Sequence, residues 1–317
     1  MNLIIDGFNI AFRSHYIYDV KQELSTSDGL PTGIVYGFLK TLVKWKSKFP
    51  KHSIYIAWDT PGAKAERREI YAGYKANRDR DHDILDIEVV KNSSAANKVL
   101  DGTTEATVNG FDLQILLLKY VLNYLGVRQV EAPKTEADDI IFNLVTKDLK
   151  EGSNIILSAD RDLLQLVSWN TIMMTPKGVV YDKDKVLEEY SVRPDCFLAY
   201  RSLFGDKSDG IPGLFRFRKK IMARLVSDHD GDLESIFGNL EDEKLTKKEL
   251  EKLEEFEEQA YTNRSVMSFI DKKYSIREGT KDSAKVRQFC DELEFKSIYS
   301  SLVDFEPTRG FVRFGNE

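Results

Sequence analysis

Three short apolar runs, each followed by an aspartate, stand out in the first half of the chain. They are Leu3-Ile4-Ile5 before Asp6, Ile54-Tyr55-Ile56-Ala57-Trp58 before Asp59, and Ile155-Ile156-Leu157-Ser158-Ala159 before Asp160. Runs of this length and composition are typical of buried strands in a parallel sheet. Because parallel strands share one carboxyl edge, we expect the three acids to meet there, where open α/β sheets bind their ligands.

Helical patterns alternate with these strands. Apolar residues recur at helical spacing from Val35 to Leu42 and from Leu113 to Tyr124. Alternation of strand and helix predicts a mostly parallel sheet flanked by helices, in the α/β class. After Phe197 the pattern is helical, and no strand is expected before residue 300. We therefore predict an α/β domain over residues 1–195 and a helical module over 196–317.

Composition limits the class of protein. The 317 residues are 42% hydrophobic and 31% charged, which is enough apolar material for a real core, and no run of eighteen apolar residues predicts a membrane span. Cys196 and Cys290 lack metal-ligand spacing and fit a reducing cytoplasm. The formal net charge of −6 taken alone argues against nucleic acid as a partner. A site built from many carboxylates would, however, lower that total by itself.

Further acids cluster outside the strands. Glu136, Asp138 and Asp139 stand at a predicted helix start, Asp162 follows Asp160, and Asp206 and Asp209 lie in a polar loop. Carboxylates packed closely repel one another unless cations neutralise them. Oxygen-rich sites of this kind suit hard divalent metals. The sequence therefore predicts a divalent-metal site.

Each acidic cluster also has a simpler interpretation. The segment Thr135-Glu136-Ala137-Asp138 fits a helix capping box, and the loop at 205–210 resembles any polar loop. These interpretations do not explain three strands that all lead into aspartate. A phosphatase with an aspartyl nucleophile is the main rival among metal-using folds. It needs a second aspartate two residues after the first, where this chain has Phe8.

Two basic segments are candidates for phosphate contacts. The segment 64–80 holds six cations with Tyr71 and Tyr74 interleaved, a pattern that suits unpaired nucleic acid, although an exposed helix is the simpler alternative. Lys75 and Arg78 are three residues apart, so we expect them to share a helix face. The segment 214–225 holds five cations and no acid.

Taken in order, these motifs resemble the structure-specific 5′-nuclease family, which includes flap endonucleases, the 5′–3′ exonuclease domain of bacterial DNA polymerase I and free-standing phage enzymes. The matching segments, which span most of the chain, are Ile5-Asp6-Gly7-Phe8-Asn9, Thr32 to Phe38, Asp59 with Arg67-Arg68, Tyr74 to Arg78, Glu136 to Asp139, Ser158 to Asp162, and Gly205 to Gly213. The resemblance implies a PIN-like α/β nuclease domain with a helical arch at about 64–110. It also implies a C-terminal module of helix-hairpin-helix type.

The resemblance assigns roles to particular residues. It implies two Mg²⁺ ions, roughly 4 Å apart, for which Mn²⁺ can substitute. The implied metal ligands, direct or through water, are Asp6, Asp59, Glu136, Asp138, Asp139, Asp160, Asp162, Asp206 and Asp209. The implied catalytic residues are Lys75 and Arg78 at the scissile phosphate and Tyr74 stacked on an unpaired base. The implied DNA contacts are Arg13, Arg67, Arg68, Arg216, Arg218, Lys219 and Lys220.

One departure from the family concerns the hairpin after Gly213. Arg216 and Arg218 occupy positions where the family has a Gly-x-Gly turn. Side chains tolerate such a turn poorly, which argues against a K⁺ site there and favours side-chain contacts to the duplex. No polymerase domain follows in this sequence, which favours the free-standing form.

The predicted function is metal-dependent 5′–3′ exonuclease and flap endonuclease activity on branched or 5′-ended duplex DNA or RNA–DNA hybrid. Such activity serves primer or flap removal in DNA replication and repair. We expect a cytoplasmic monomer (in the host cytoplasm if phage-encoded) that contacts replication proteins and no membrane. The alternatives are the aspartyl phosphatase and a catalytically silent DNA-binding relative.

Overall fold

The computed structural model describes residues 1–76, 85, 87–100 and 109–308. Within these residues the chain forms seven strands: β1 (Asn2–Asp6), β2 (Ser53–Ala57), β3 (Arg128–Glu131), β4 (Asn154–Leu157), β5 (Thr171–Met174), β6 (Val180–Tyr181) and β7 (Ser275–Arg277). None of the helices in the described ranges has the length and apolar character needed to cross a bilayer.

Fourteen α-helices occur in the same part of the chain. They are α1 (Gly7–Ser14), α2 (Gly33–Lys48), α3 (Ala65–Ile70), α4 (Ile87–Asn92), α5 (Ser94–Val99), α6 (Gly110–Tyr124), α7 (Ala137–Asn143), α8 (Lys183–Tyr190), α9 (Phe197–Phe204), α10 (Lys219–Asp228), α11 (Leu233–Gly238), α12 (Lys247–Met267), α13 (Ser283–Glu292) and α14 (Tyr299–Val303). A 3₁₀-helix at Arg161–Leu166 follows β4.

The chain divides into two compact units. The first comprises residues 1–59, 80–132 and 273–317. In it β1 pairs with β2 and β2 with β3, all parallel, and β7 adds to β3 in the antiparallel sense. Every residue of β1 and β2 is buried, because their apolar side chains are covered on both faces.

The second unit comprises residues 60–79 and 133–272. Its strands β4 and β5 are parallel, and the two-residue β6 is antiparallel to β5. The remaining elements of this unit are helical. The longest is α12, which begins with a capping box of Thr246 and Glu249.

The predicted fold class is confirmed, because parallel pairs form the centre of each group of strands and helices surround them. The expectation of no strand between Phe197 and residue 300 is wrong, since β7 lies there. This strand is three residues long and mostly exposed, so it carries no apolar run.

The predicted boundary at residue 195 does not coincide with a boundary of the two units. Parts of the predicted arch, at 77–84, 86 and 101–108, lie outside the described residues.

Candidate functional site

In the first unit, Asp6 and Asp59 lie at the same edge of the sheet. Asp6 is the last residue of β1 and pairs in register with Ala57, two residues before Asp59. The buried Asp6 carboxylate caps α1 by accepting a 3.1 Å hydrogen bond from the Asn9 amide. A Cβ at Gly7 would lie 2.5 Å from the Trp58 ring, so only glycine allows this close turn after Asp6.

In the second unit, one buried guanidinium holds two of the predicted ligands. Arg67 of α3 donates to Glu136 at 2.6 Å and to the two oxygens of Asp139 at 2.7 and 2.8 Å. It also donates to the backbone carbonyls of Val266 (2.9 Å) and Ser268 (3.2 Å). All five N–H groups of Arg67 are therefore used within the protein. The side chains of all three charged residues are at most 5% exposed.

The electrostatics of this network keep it ionised. Burial alone would lower the pKa of Arg67, but the hydrogen bond and charge of Asp139, with the charge of Glu136, raise it well above its usual value. Burial alone would raise the pKa of Glu136, but the charges of Lys75 and Arg67 lower it. The guanidinium of Arg67 and the carboxylate of Glu136 are therefore both charged in the folded protein.

Lys75 lies in a tight turn rather than on a helix. Its φ is +51°, and its amide donates to the Asp209 carbonyl at 2.7 Å. Its Nζ lies 2.5 Å from Glu136 and 3.8 Å from the Asp209 carboxylate. Gly210 is required beside this turn, because a Cβ there would lie 2.5 Å from the Gly73 carbonyl oxygen. Lys75 thus links the helix-start acids to the loop acids.

A second arginine, Arg201, pairs with two more of the predicted ligands. Arg201 of α9 donates through Nε to Asp162 at 2.7 Å, through Nη2 to Asp206, and through Nη1 to the Gly205 carbonyl at 3.2 Å. Asp160 caps the 3₁₀-helix by accepting from the Asp162 amide at 2.9 Å. Burial, followed by the charge of Asp160, raises the pKa of Asp162 to about 7 despite the opposing effect of Arg201.

A small cavity joins the two acidic groups of this unit. It has a volume of about 10 Å³, and Asp138 and Asp162 both line it, with Arg67 and Tyr74. A space of this size holds about one water molecule or ion. Within the described ranges, no group of three or more Asp, Glu, His or Cys side chains is arranged to hold a metal ion. Carboxylate oxygens are the donors that a hard cation prefers, but in this structure Arg67, Lys75 and Arg201 are the partners of several of these carboxylates.

Two predicted roles need correction. The prediction that Arg67 contacts DNA is wrong for this structure, because the guanidinium is buried and every N–H group has a protein acceptor. The predicted base stacking of Tyr74 is wrong as well. Tyr74 is 5% exposed, packs with Ile211 and Val266, and donates its hydroxyl to Glu136 at 3.0 Å.

Two further expectations near this site also differ from the structure. Lys75 and Arg78 were expected to share a helix face, but Lys75 lies in a turn and Arg78 lies outside the described residues. Thr135 does not cap α7, because its hydroxyl donates to the Pro133 carbonyl and Glu136 is the N-cap residue. The N-cap Glu136 makes no side-chain capping bond, and its carboxylate accepts from Arg67, Tyr74 and Lys75 instead.

The predicted DNA contacts differ in whether their side chains already bond to other groups of the protein. Arg13 of α1 is half-buried. Arg68 donates to the carbonyls of Tyr74 and Lys75 at 3.1 Å and so supports the Lys75 turn.

The basic residues after Gly213 form a second group. Arg216 takes the left-handed conformation, with φ +51°, in place of a glycine. Its guanidinium lies over the exposed Phe215 ring at 4.9 Å. Arg218 instead forms a bidentate pair with Glu249, at 2.6 and 2.8 Å. Lys219 and Lys220 are exposed at the start of α10, where helix amides favour anions.

Sequence reasoning missed Arg201, which binds two predicted ligands. A sequence pattern that could have identified it is a charged residue within the apolar helix α9, where an arginine is stable only if it has buried acidic partners. Ser208 was missed as well: its amide and hydroxyl both donate to Asp206, at 2.7 and 2.6 Å.

The family model and the similar proteins all indicate one family. The family model described as 5′-3′ exonuclease, N-terminal resolvase-like domain, matches residues 1–191. A 5′-3′ exonuclease from Aquifex aeolicus is 30% identical and aligns over 94% of both chains. A thermostable DNA polymerase I from Thermus filiformis is 31% identical over 93% of this chain. The chain spans about a third (32%) of the length of that polymerase.

Solved structures share the fold. The T5 5′-exonuclease with bound zinc has a TM-score of 0.60 at 18% identity and covers 84% of this chain and 88% of its own. Flap endonuclease-1 from Methanococcus jannaschii has a TM-score of 0.56 at 14% identity and covers 96% of this chain and 90% of its own. At these identities the similarity concerns the fold.

Proposed function

The chain belongs to the 5′–3′ exonuclease family, whose members are phosphodiester hydrolases, and from this premise we propose that it cuts phosphodiesters near the 5′ ends of DNA. The substrates we propose are 5′ flaps and 5′-ended duplexes, with RNA–DNA hybrid as a further substrate. The biological role that follows is removal of flaps or primers in replication and repair.

The observation that supports this most strongly is the ratio of acids to cations in the second unit. This unit contains seven of the predicted ligand carboxylates, and among the described residues Arg67, Lys75 and Arg201 pair with five of them, Glu136, Asp139, Asp162, Asp206 and Asp209. An excess of carboxylates at an all-oxygen site favours divalent cations. Burial is the main cause of the raised pKa of Asp162, and the nearby charge of Asp160 raises it further.

We propose that all nine predicted carboxylates act as ligands, directly or through water, and that Mg²⁺ is the natural ion. Bound divalent ions would activate a water molecule and stabilise the leaving oxygen. Since part of the acid set is now paired with protein cations, metal binding requires carboxylates to exchange one cation for another. Arg67 and Arg201 then position the ligands rather than contact the substrate.

We further propose that Lys75 steadies the developing charge on the scissile phosphate. Burial would lower its pKa, but Glu136 and neighbouring charges raise it well above the usual value, so the ammonium stays charged. Arg78 keeps its predicted role as the second such cation. Arg13, Arg216, Lys219 and Lys220 are the proposed contacts to the DNA backbone. A cytoplasmic monomer that works with replication proteins remains our proposal.

Incubation of the protein with a doubly labelled 5′-flap duplex tests the function. Cleavage at the flap base or release of short 5′ fragments in Mg²⁺ or Mn²⁺, and none in EDTA, is the expected result. Release of inorganic phosphate alone would instead identify a phosphatase. Binding of the flap without cleavage in either metal would identify a catalytically silent relative.

A further inference from the structure

A second cavity lies beside Asp162 and Asp206, the acids that Arg201 holds, and Lys219 is the one predicted DNA contact among its lining residues. Its volume is about 270 Å³, and it is bordered by residues of α8, α9, the start of α10 and the 3₁₀-helix after β4. Small-molecule sites range from roughly 300 to 1,000 Å³, so the cavity lies just below that range. It has room for one small ligand and not for a stretch of polymer.

The walls of this cavity combine aromatic rings with positive charge. Tyr190 and Phe204 are half-buried and line it together with Tyr200, whose ring stacks on Phe204 at 5.6 Å. Arg161 and Lys219 border it as well, against one acid, Glu189. Aromatic faces bind flat rings, and arginine and lysine bind phosphate. Such walls suit a ligand that is aromatic at one end and anionic at the other.

The two cations have no carboxylate partner among the described residues. The side chain of Arg161 is exposed and has neither a hydrogen bond nor an ion pair among the described residues, although its charge acts on the hydroxyls of Tyr181 and Tyr190. Lys219 lies over the Phe204 ring at 4.7 Å and is the first residue of α10. The helix has no side-chain cap at this end, so its first amides are available to an anion.

Arg201 connects this cavity to the acidic cluster. It lines the cavity, but its Nε, Nη1 and Nη2 groups donate to Asp162, Gly205 and Asp206. The third cation of the cavity wall is thus already neutralised. The positive charge left for a ligand comes from Arg161 and Lys219, which border the same space.

We propose that this cavity binds a single nucleotide, with the base against the aromatic residues and the 5′-phosphate at Arg161 and Lys219. The choice of a nucleotide among aromatic anions rests on the proposed function, which produces 5′-nucleotides at the neighbouring acids. Two sources share this chemistry: a released mononucleotide and the terminal nucleotide of a strand. The small volume favours the released mononucleotide.

The test is calorimetric titration of the full chain with deoxyadenosine 5′-monophosphate in EDTA. EDTA removes divalent metal, so neither cleavage nor phosphate binding through metal contributes. A failure of the proposed nuclease activity therefore leaves this measurement interpretable. We expect a Kd below about 1 mM and at least tenfold weaker binding of deoxyadenosine and of inorganic phosphate. A 5′-phosphorylated trinucleotide that binds when the mononucleotide does not would assign the site to a strand end.

Matched variants locate the binding. Lys219→Ala should weaken the nucleotide by about five- to tenfold, the scale of one partly exposed charge-assisted hydrogen bond. Lys220→Ala removes the same charge one residue later, from a side chain that does not line the cavity, and should leave affinity within about twofold. Equal loss in both variants would show general electrostatic attraction and overturn the proposal.

A measurement on the unmodified chain removes the risk that a variant fails to fold. In saturation-transfer NMR of the same EDTA sample, the base protons should receive more saturation than the ribose protons, because the base lies against the aromatic wall. Uniform saturation, or binding of inorganic phosphate as tightly as of the nucleotide, would overturn the proposal. Absence of any nucleotide binding up to 10-fold above the expected Kd of about 1 mM would do the same.

Discussion

Replacement of Arg67 by alanine is the perturbation whose cost the structure defines best. The side chain makes five hydrogen bonds, three of them to the buried carboxylates of Glu136 and Asp139. Its removal leaves Asp139, which is 1% exposed, without its arginine partner. Glu136 keeps Lys75 at 2.5 Å, so Asp139 carries most of the loss.

The expected magnitude follows from that burial. Removal of one partner of a buried ion pair costs about 3–5 kcal/mol, because the remaining charge is desolvated and uncompensated. With a urea dependence of about 3 kcal/mol per molar, the midpoint of unfolding should fall by roughly 1–1.7 M. The loss should shrink when Mg²⁺ is present, because a divalent cation can compensate the carboxylates that Arg67 leaves behind.

Arg264→Ala is the matched control. Arg264 also forms a bidentate pair with a carboxylate, Glu234, at 2.9 and 3.0 Å, but both side chains are more than a third exposed. An exposed pair contributes below about 1 kcal/mol. The assay is urea unfolding of wild type and both variants, followed by circular dichroism, in EDTA and in Mg²⁺. Similar losses in the two variants, or no difference between EDTA and Mg²⁺ for Arg67→Ala, would refute the reasoning.

The remaining predictions concern catalysis and DNA binding. Asp160→Asn should bind a 5′ flap with near-normal affinity yet cut it at least about 10²-fold more slowly in single turnover, because a lost ligand charge removes transition-state stabilisation; a near-normal rate would exclude Asp160 as a ligand. Lys75→Ala should slow the same step by about 10²-fold or more, whereas a change in affinity alone would make Lys75 a simple phosphate contact. Arg216→Ala should reduce the slope of log affinity against log salt by about 0.9. Arg218→Ala should reduce it less, because Glu249 already pairs with Arg218; equal effects would contradict that distinction.

The sequence was sufficient to predict the elements that carry the acids. Buried strands have strong apolar runs, so β1, β2 and β4 were identified together with Asp6, Asp59 and Asp160 after them. The sequence also predicts the capping box of α12, because Thr246 is followed three positions later by Glu249. Such patterns depend only on residues that are close together in the sequence, so the sequence alone is enough to recognise them.

The partners of the acids were not predictable in the same way. Arg67 looked like an exposed DNA contact, because nothing in its neighbours along the chain shows that it meets Glu136 and Asp139 some seventy positions later. The sequence predicts Lys75 on a helix, but the structure places it in a turn with a positive φ. The loop of Asp209 and Gly210 packs on this turn, and the residues next to Lys75 in sequence do not show that contact. Contacts with residues far away in the sequence therefore determine where Arg67 and Lys75 lie in the structure.

A parallel measurement of metal binding and cleavage tests the central claim most directly. Mn²⁺ is titrated into the metal-free protein by calorimetry, and the same samples are assayed for single-turnover cleavage of a 5′-flap duplex. We predict that the wild-type protein binds Mn²⁺ and that its cleavage rate rises as the metal sites fill. Asp160→Asn should lose both Mn²⁺ binding and cleavage. Cleavage by the wild-type protein in EDTA at the full rate, or no Mn²⁺ binding by a protein that still cuts, would contradict a carboxylate-bound metal centre.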